Sequence, residues 1–92
     1  MPRVADNPAE SRYELPVDGD VAFAAYERAG DVVTFTHTIV PPAAQGRGVA
    51  SRLIAGALDD VRARGLTVVP QCSFVAAYVD DHPETRDLLA RG

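Results

Sequence analysis

From Arg12 onward the chain alternates. Tyr13, Leu15 and Val17 share one face of a strand over Arg12–Val17. Asp18-Gly19-Asp20 is a hairpin turn signal, because the tight two-residue turns need residues that tolerate positive φ. Residues 21–28 then alternate again, with Val21, Phe23 and Ala25 against Ala22, Ala24 and Tyr26. Ala29-Gly30-Asp31 is a second tight turn. Residues 32–40 read Val-Val-Thr-Phe-Thr-His-Thr-Ile-Val, dense in β-branched side chains that suit a pleated surface. Strict alternation places Val33, Phe35, His37 and Ile39 on one face and Thr34, Thr36, Thr38 and Val40 on the other. Pro41-Pro42 ends the strand, since neither residue can donate to a ladder.

From Gly48 the period changes. Ala50, Leu53, Ile54, Ala57, Leu58 and Val61 recur at spacings of three and four and form one apolar stripe. Asp60 and Arg64 are an i,i+4 pair in the favourable order, and Gly65 stands where a helix-terminating glycine belongs. Residues 66–69 form a short apolar strand stopped by Pro70. Ser73–Asp81 and 84–90 read as short helices broken at His82-Pro83. The expected architecture is α/β (α+β): an antiparallel three-stranded meander, a crossover helix, a parallel fourth strand and short C-terminal helices. Residues 1–10, rich in Pro, Asn, Asp and Ala, are expected to be a loose tail ahead of one domain over 11–92.

Composition sets the limits. The 92 residues are 47 % hydrophobic, enough for one core and no more. The net charge of −4 argues against a nucleic-acid or anionic-membrane surface, so any anion site must be local. Cys72 is the one cysteine, which rules out an internal disulfide and suits a reducing compartment. The first residues have no apolar core of a secretory signal, and no apolar run is long enough to span a bilayer. The expected location is cytoplasmic, and the expected state a monomer or weak dimer. His37, His82 and Cys72 have no metal-ligand spacing, so no metal is expected.

The candidate chemistry starts at Gln45-Gly46-Arg47-Gly48-Val49-Ala50, a glycine-rich junction between strand and helix. The free N–H groups of a helix start, with about half a positive charge from the helix dipole, favour an anion there. The turn fits Gln/Arg-x-x-Gly-x-Gly/Ala. In its setting it resembles the pyrophosphate-binding turn of the GNAT acetyltransferase superfamily. Further blocks extend the resemblance along most of the chain: His37-Thr38-Ile39-Val40-Pro41, Val69-Pro70-Gln71-Cys72-Ser73-Phe74-Val75, and Tyr78 through His82-Pro83-Glu84. Together they look like the short single-domain GNAT-like proteins that keep one cysteine.

That resemblance implies a minimal GNAT-like fold, acetyl-coenzyme A (acetyl-CoA) as cofactor, and acetyl transfer to an unidentified amine, thiol or protein side chain. It also implies site residues. Gln45, Gly46, Arg47, Gly48, Val49, Ala50 and Ser51 would hold the pyrophosphate, and backbone groups of Thr38, Ile39 and Val40 would pair with the pantetheine arm. Cys72, after the fourth strand and before a helix, would accept the acetyl group or line the pocket. Tyr78 would protonate the departing thiolate, and His37 is a candidate base. Relatives usually carry glutamate at the position of Ile39, where isoleucine can neither bind an amine nor relay a proton. The alternative function is a non-catalytic acyl-CoA binding or sensing module.

Overall fold

The computed structural model describes residues 3–90. Five strands form one sheet in chain order: β1 (Ala5–Asn7), β2 (Arg12–Val17), β3 (Asp20–Ala29), β4 (Val32–Ile39) and β5 (Thr67–Pro70). The first four are antiparallel, and β5 lies parallel to β4. Helix α1 (Val49–Ala63) makes the crossover, and helix α2 (Ser73–Asp81) follows β5. The short helix expected at 84–90 is a 3-10 segment over Pro83–Leu88. Pro83 starts that tighter turn, and Leu89-Ala90 leave it to bridge alongside Val68 on the outer edge of β5. Among the described residues no helix is long and apolar enough to cross a membrane.

The expected loose tail does not hold at Ala5–Asn7. This short segment pairs with Arg12–Glu14 of β2 as an edge strand; residues 1 and 2 of the expected tail, and 91 and 92 of the expected domain, lie outside the described residues. Polar groups hold it in place of an apolar face. Asp6 accepts a hydrogen bond of 2.6 Å from the Tyr26 hydroxyl, and Arg64 lies 3.4 Å from its other oxygen. Arg64 also pairs with Asp60 at 2.9 Å, and Asp60 accepts a 2.7 Å bond from Tyr13. Val4 packs over Gly56 of α1, where a Cβ would come within 2.5 Å of the valine side chain.

The stripe of α1 buries as its periodicity predicts. Val49, Leu53, Ile54, Ala57, Leu58 and Val61 pack on Tyr13, Leu15, Ala22, Ala24 and Phe35. Gly65, at φ +70°, ends the helix in a Schellman motif: Leu66 N–H bonds the Val61 carbonyl and Gly65 N–H that of Arg62.

Strand β4 departs from simple alternation. Its pairing with β3 runs Tyr26 to Phe35, then Ala25 to His37, so Thr36 is an extra residue and the strand is bulged there. One inserted residue exchanges the two faces. Val33 and Phe35 point into the core before the bulge. After it Thr38 and Val40 turn toward the helices, while His37 and Ile39 are exposed on the open face. The expected grouping of Val33, Phe35, His37 and Ile39 on one face is therefore corrected: it holds only up to Phe35.

Candidate functional site

The parallel pairing of β4 with β5 ends at Phe35 opposite Pro70. The Phe35 carbonyl then accepts the Cys72 N–H at 2.8 Å, and the chain turns away into α2. Strand β4 runs on to Ile39, with β3 on one side and no strand on the other among the described residues. Beyond Phe35 the edge of β4 is thus no longer paired with β5, and the chain leaves it at Cys72, which is not itself among the residues lining the cleft described below.

Cys72 is the N-cap residue of α2 and is 8 % exposed. Its Sγ lies 3.4 Å from Thr38 Oγ1, the side chain that the bulge turned inward. Burial pushes the thiol pKa up. The Thr38 hydroxyl and the nearby N–H groups of Val75, Phe74 and Thr38 outweigh it and hold the thiol below its ordinary range. When the sulfur is a thiolate, the Thr38 hydroxyl can only donate to it.

A cleft of about 240 Å³ lies between the glycine turn and α2. Val40, Ala44, Gln45, Gly46, Gly48, Val49, Ala50, Ser51 and Phe74 line it. Seven of these are residues singled out in the sequence. Phe74 was not among them, although its phase could have marked it: it falls off the Val75–Val79 core stripe of α2 and is 37 % exposed. Ala44, buried in the 3-10 turn Pro42–Ala44, carried no such signal.

Local geometry explains the two glycines. Gly46 sits at φ +79° and Gly48, the N-cap of α1, at φ +72°. Both are left-handed conformations that cost other residues about 1–2 kcal/mol. A Cβ at either position would meet nothing within 4 Å, so the turn faces open space. The first amides of α1 have no side-chain cap. Such a turn has room and donors for a phosphorylated group.

Gln45 is engaged within the chain although it lines the cleft, and Arg47, Ile39 and His37 are not among the lining residues. Gln45 Nε2 donates to the Val40 carbonyl at 3.2 Å, which ties the turn to β4 and occupies a backbone acceptor expected to face a ligand. Arg47 is in an ion pair with Asp18 at 2.6 Å. Ile39 is 46 % exposed on the open sheet face, opposite Phe23. His37 is on that same face, with its ring 6.3 Å from Phe23 and Nδ1 3.3 Å from the Thr36 hydroxyl. It is therefore not brought beside Cys72.

Tyr78 is not placed in the cleft either. It lines a separate hollow of about 120 Å³ with Leu58, Asp59, Arg62, Glu84 and Thr85. Its ring stacks on His82 at 3.9 Å, and His82 Nδ1 donates to the Tyr78 carbonyl at 2.8 Å. Burial, with Glu84 and Asp59 adding to it, raises the Tyr78 pKa, so the hydroxyl stays protonated at neutral pH.

Comparison with known proteins bears on family and fold. Residues 12–88 match the family described as GCN5-related N-acetyl-transferase. The mouse Protein NATD1 is 33 % identical over 84 residues, covering 88 % of this chain and 76 % of its own length. The human Protein NATD1 is likewise 33 % identical, over 88 % of this chain and 74 % of its own. The NMR structure of a GCN5-like protein from Staphylococcus aureus superposes with a TM-score of 0.67 at 17 % identity, over 96 % of this chain and 87 % of that one.

Proposed function

Because the chain belongs to the GCN5-related N-acetyltransferase family, we propose that it binds acetyl-CoA in the cleft between the glycine turn and α2, and that Cys72 takes part in acetyl transfer. The observation that carries this reading is the parting of β4 and β5 at Cys72. The parting leaves the β4 edge free beside a thiol that its surroundings bias toward thiolate.

The residues present fit the ligand. The turn has open space around Gly46 and Gly48 and a helix start without a side-chain cap, which suits a pyrophosphate, and the apolar lining by Val40, Val49 and Phe74 suits a pantetheine arm. Acetyl-CoA supplies an activated thioester. Cys72 supplies the nucleophile: its sulfur gains a bond to the acetyl carbon as the coenzyme sulfur leaves and takes a proton from solvent. Thr38 holds the Cys72 thiolate by donating to it. The acceptor is an amine, a thiol or a protein side chain, and the free thiol fits a reducing, cytoplasmic setting.

The test is incubation with isotopically labelled acetyl-CoA, followed by intact mass and peptide mapping. One acetyl group on Cys72, absent from Cys72→Ala, is the expected result. An unlabelled protein that also shows no heat of coenzyme A binding would refute the proposal.

A second reading is a non-catalytic acyl-CoA binding or sensing module. It is favoured by one observation: neither His37 nor Tyr78 stands beside Cys72, and Ile39 offers no carboxylate. Here coenzyme A binds wild type and Cys72→Ala alike, and no acetyl group is retained or passed on.

A further inference from the structure

We propose that Asp18 is a brake on the glycine turn: it holds Arg47 in an ion pair that an anionic ligand must displace. The inference rests on reading that turn as a phosphate site. Arg47 stands between the two left-handed glycines, at the outer tip of the turn. Its guanidinium Nη1 is 2.6 Å from Asp18 Oδ2, a residue 29 positions earlier in the chain.

Asp18 is presented rigidly. Val17 pairs with Asp20, so Asp18 and Gly19 are the whole β2–β3 loop. Both are left-handed, at φ +48° and +85°, as a type I′ turn requires. The tight hairpin tip therefore places Asp18 beside the arginine of the glycine turn. The two side chains are 52 % and 69 % exposed, so the pair is weak and exchangeable.

A phosphate at the turn amides competes for Arg47 with that carboxylate. When Arg47 changes partner, Asp18 is left beside the incoming negative charge. Both effects oppose anion binding. A protein of net charge −4 already repels anions at long range, so the state of this local cation matters. Arg52 is one helical turn further on and makes no ion pair among the described residues, which provides an internal control.

The experiment titrates inorganic pyrophosphate, then coenzyme A, into wild type, Asp18→Asn, Arg47→Gln, Arg52→Gln and the two double variants that pair Asp18→Asn with each arginine change, followed by amide NMR shifts at Gly46 to Ser51. Asp18→Asn is expected to tighten pyrophosphate about two- to five-fold at low salt, the scale of a surface ion pair. The gain shrinks in the Arg47→Gln background, persists with Arg52→Gln, and fades at about 0.5 M salt. An equal gain with and without Arg47, no gain, or no amide shifts in any variant would overturn the brake. Pyrophosphate behaving as expected without any coenzyme A binding would uphold the brake and refute the proposed function. Tight coenzyme A binding indifferent to Asp18 would do the reverse.

Discussion

Thr38 Oγ1 and Cys72 Sγ stand 3.4 Å apart and join the end of β4 to the first turn of α2. The Thr38 hydroxyl and the neighbouring amides overcome the upward push of burial and lower the thiol pKa. Thr38→Val keeps the shape and removes the donor. The pH profile of iodoacetamide alkylation at Cys72 should then move to higher pH. A profile that stays in place would mean that the helix amides alone set the thiol. The sign for stability follows: a depressed thiol stabilises the fold above its unfolded pKa, and that contribution is lost as pH falls through the folded value.

Tyr13 and Tyr26 predict the alkaline limit. Burial, the Asp6 hydrogen bond and the Asp6 charge push Tyr26 up to about 12, and burial with the Asp60 hydrogen bond raises Tyr13 further. A raised folded pKa gives stability that is fully present below the unfolded value of about 10 and is lost as pH rises through the folded one. Stability should hold to pH 10 and then fall, with phenolate absorbance rising in step with unfolding. Tyr13→Phe should cost about 1.5 kcal/mol at neutral pH, the lower end for a bond to a charged acceptor, because Asp60 keeps Arg64. Urea denaturation measures it.

Gly56 and Val4 should couple. Alanine at an exposed helix glycine gains about 1 kcal/mol, but here the new methyl would meet Val4 at 2.5 Å. Gly56→Ala is expected to loosen β1, with faster amide exchange at Arg12 and Glu14, whose N–H groups face β1, and to lose about 1 kcal/mol net. In a Val4→Ala background the same change should stabilise. A double-mutant cycle with no coupling would refute the contact.

Gly48→Ala isolates backbone strain, because no atom waits at its Cβ position. The expected loss is about 1–2 kcal/mol in denaturant unfolding, from the left-handed conformation alone. Coenzyme A affinity should fall as well, if the turn is the phosphate site. Unchanged stability would show that the turn relaxes to another conformation.

The helix, the hairpins and the glycine turn were legible because each is written in a local pattern. The Leu53–Ile54–Ala57–Leu58–Val61 stripe can bury only one face, and Asp18-Gly19 can make only a few turns. Strand β1 was hidden because its fastening is polar and remote: Asp6 finds Tyr26 and Arg64 only in the folded chain. Within the site, the glycine turn and Cys72 were readable, but the company of Cys72 was not. Phe35 through Ile39 alternate without a break in the sequence, and no glycine marks Thr36 as the extra residue. That one register shift exchanges His37 for Thr38 at the thiol.

The bulge at Thr36 divides β4 into two stretches that obey opposite rules. A mutational scan read out by abundance alone should register it. Charged substitutions should be rejected at odd positions 33 and 35, then accepted at 37 and 39. Deleting Thr36 would restore an unbroken alternation and leave every later residue on its present face, with Thr38 still at the thiol and His37 still outside. Only drawing Thr36 into the ladder as a paired residue would flatten the bulge and carry the imidazole of His37 to the cysteine in place of the Thr38 hydroxyl.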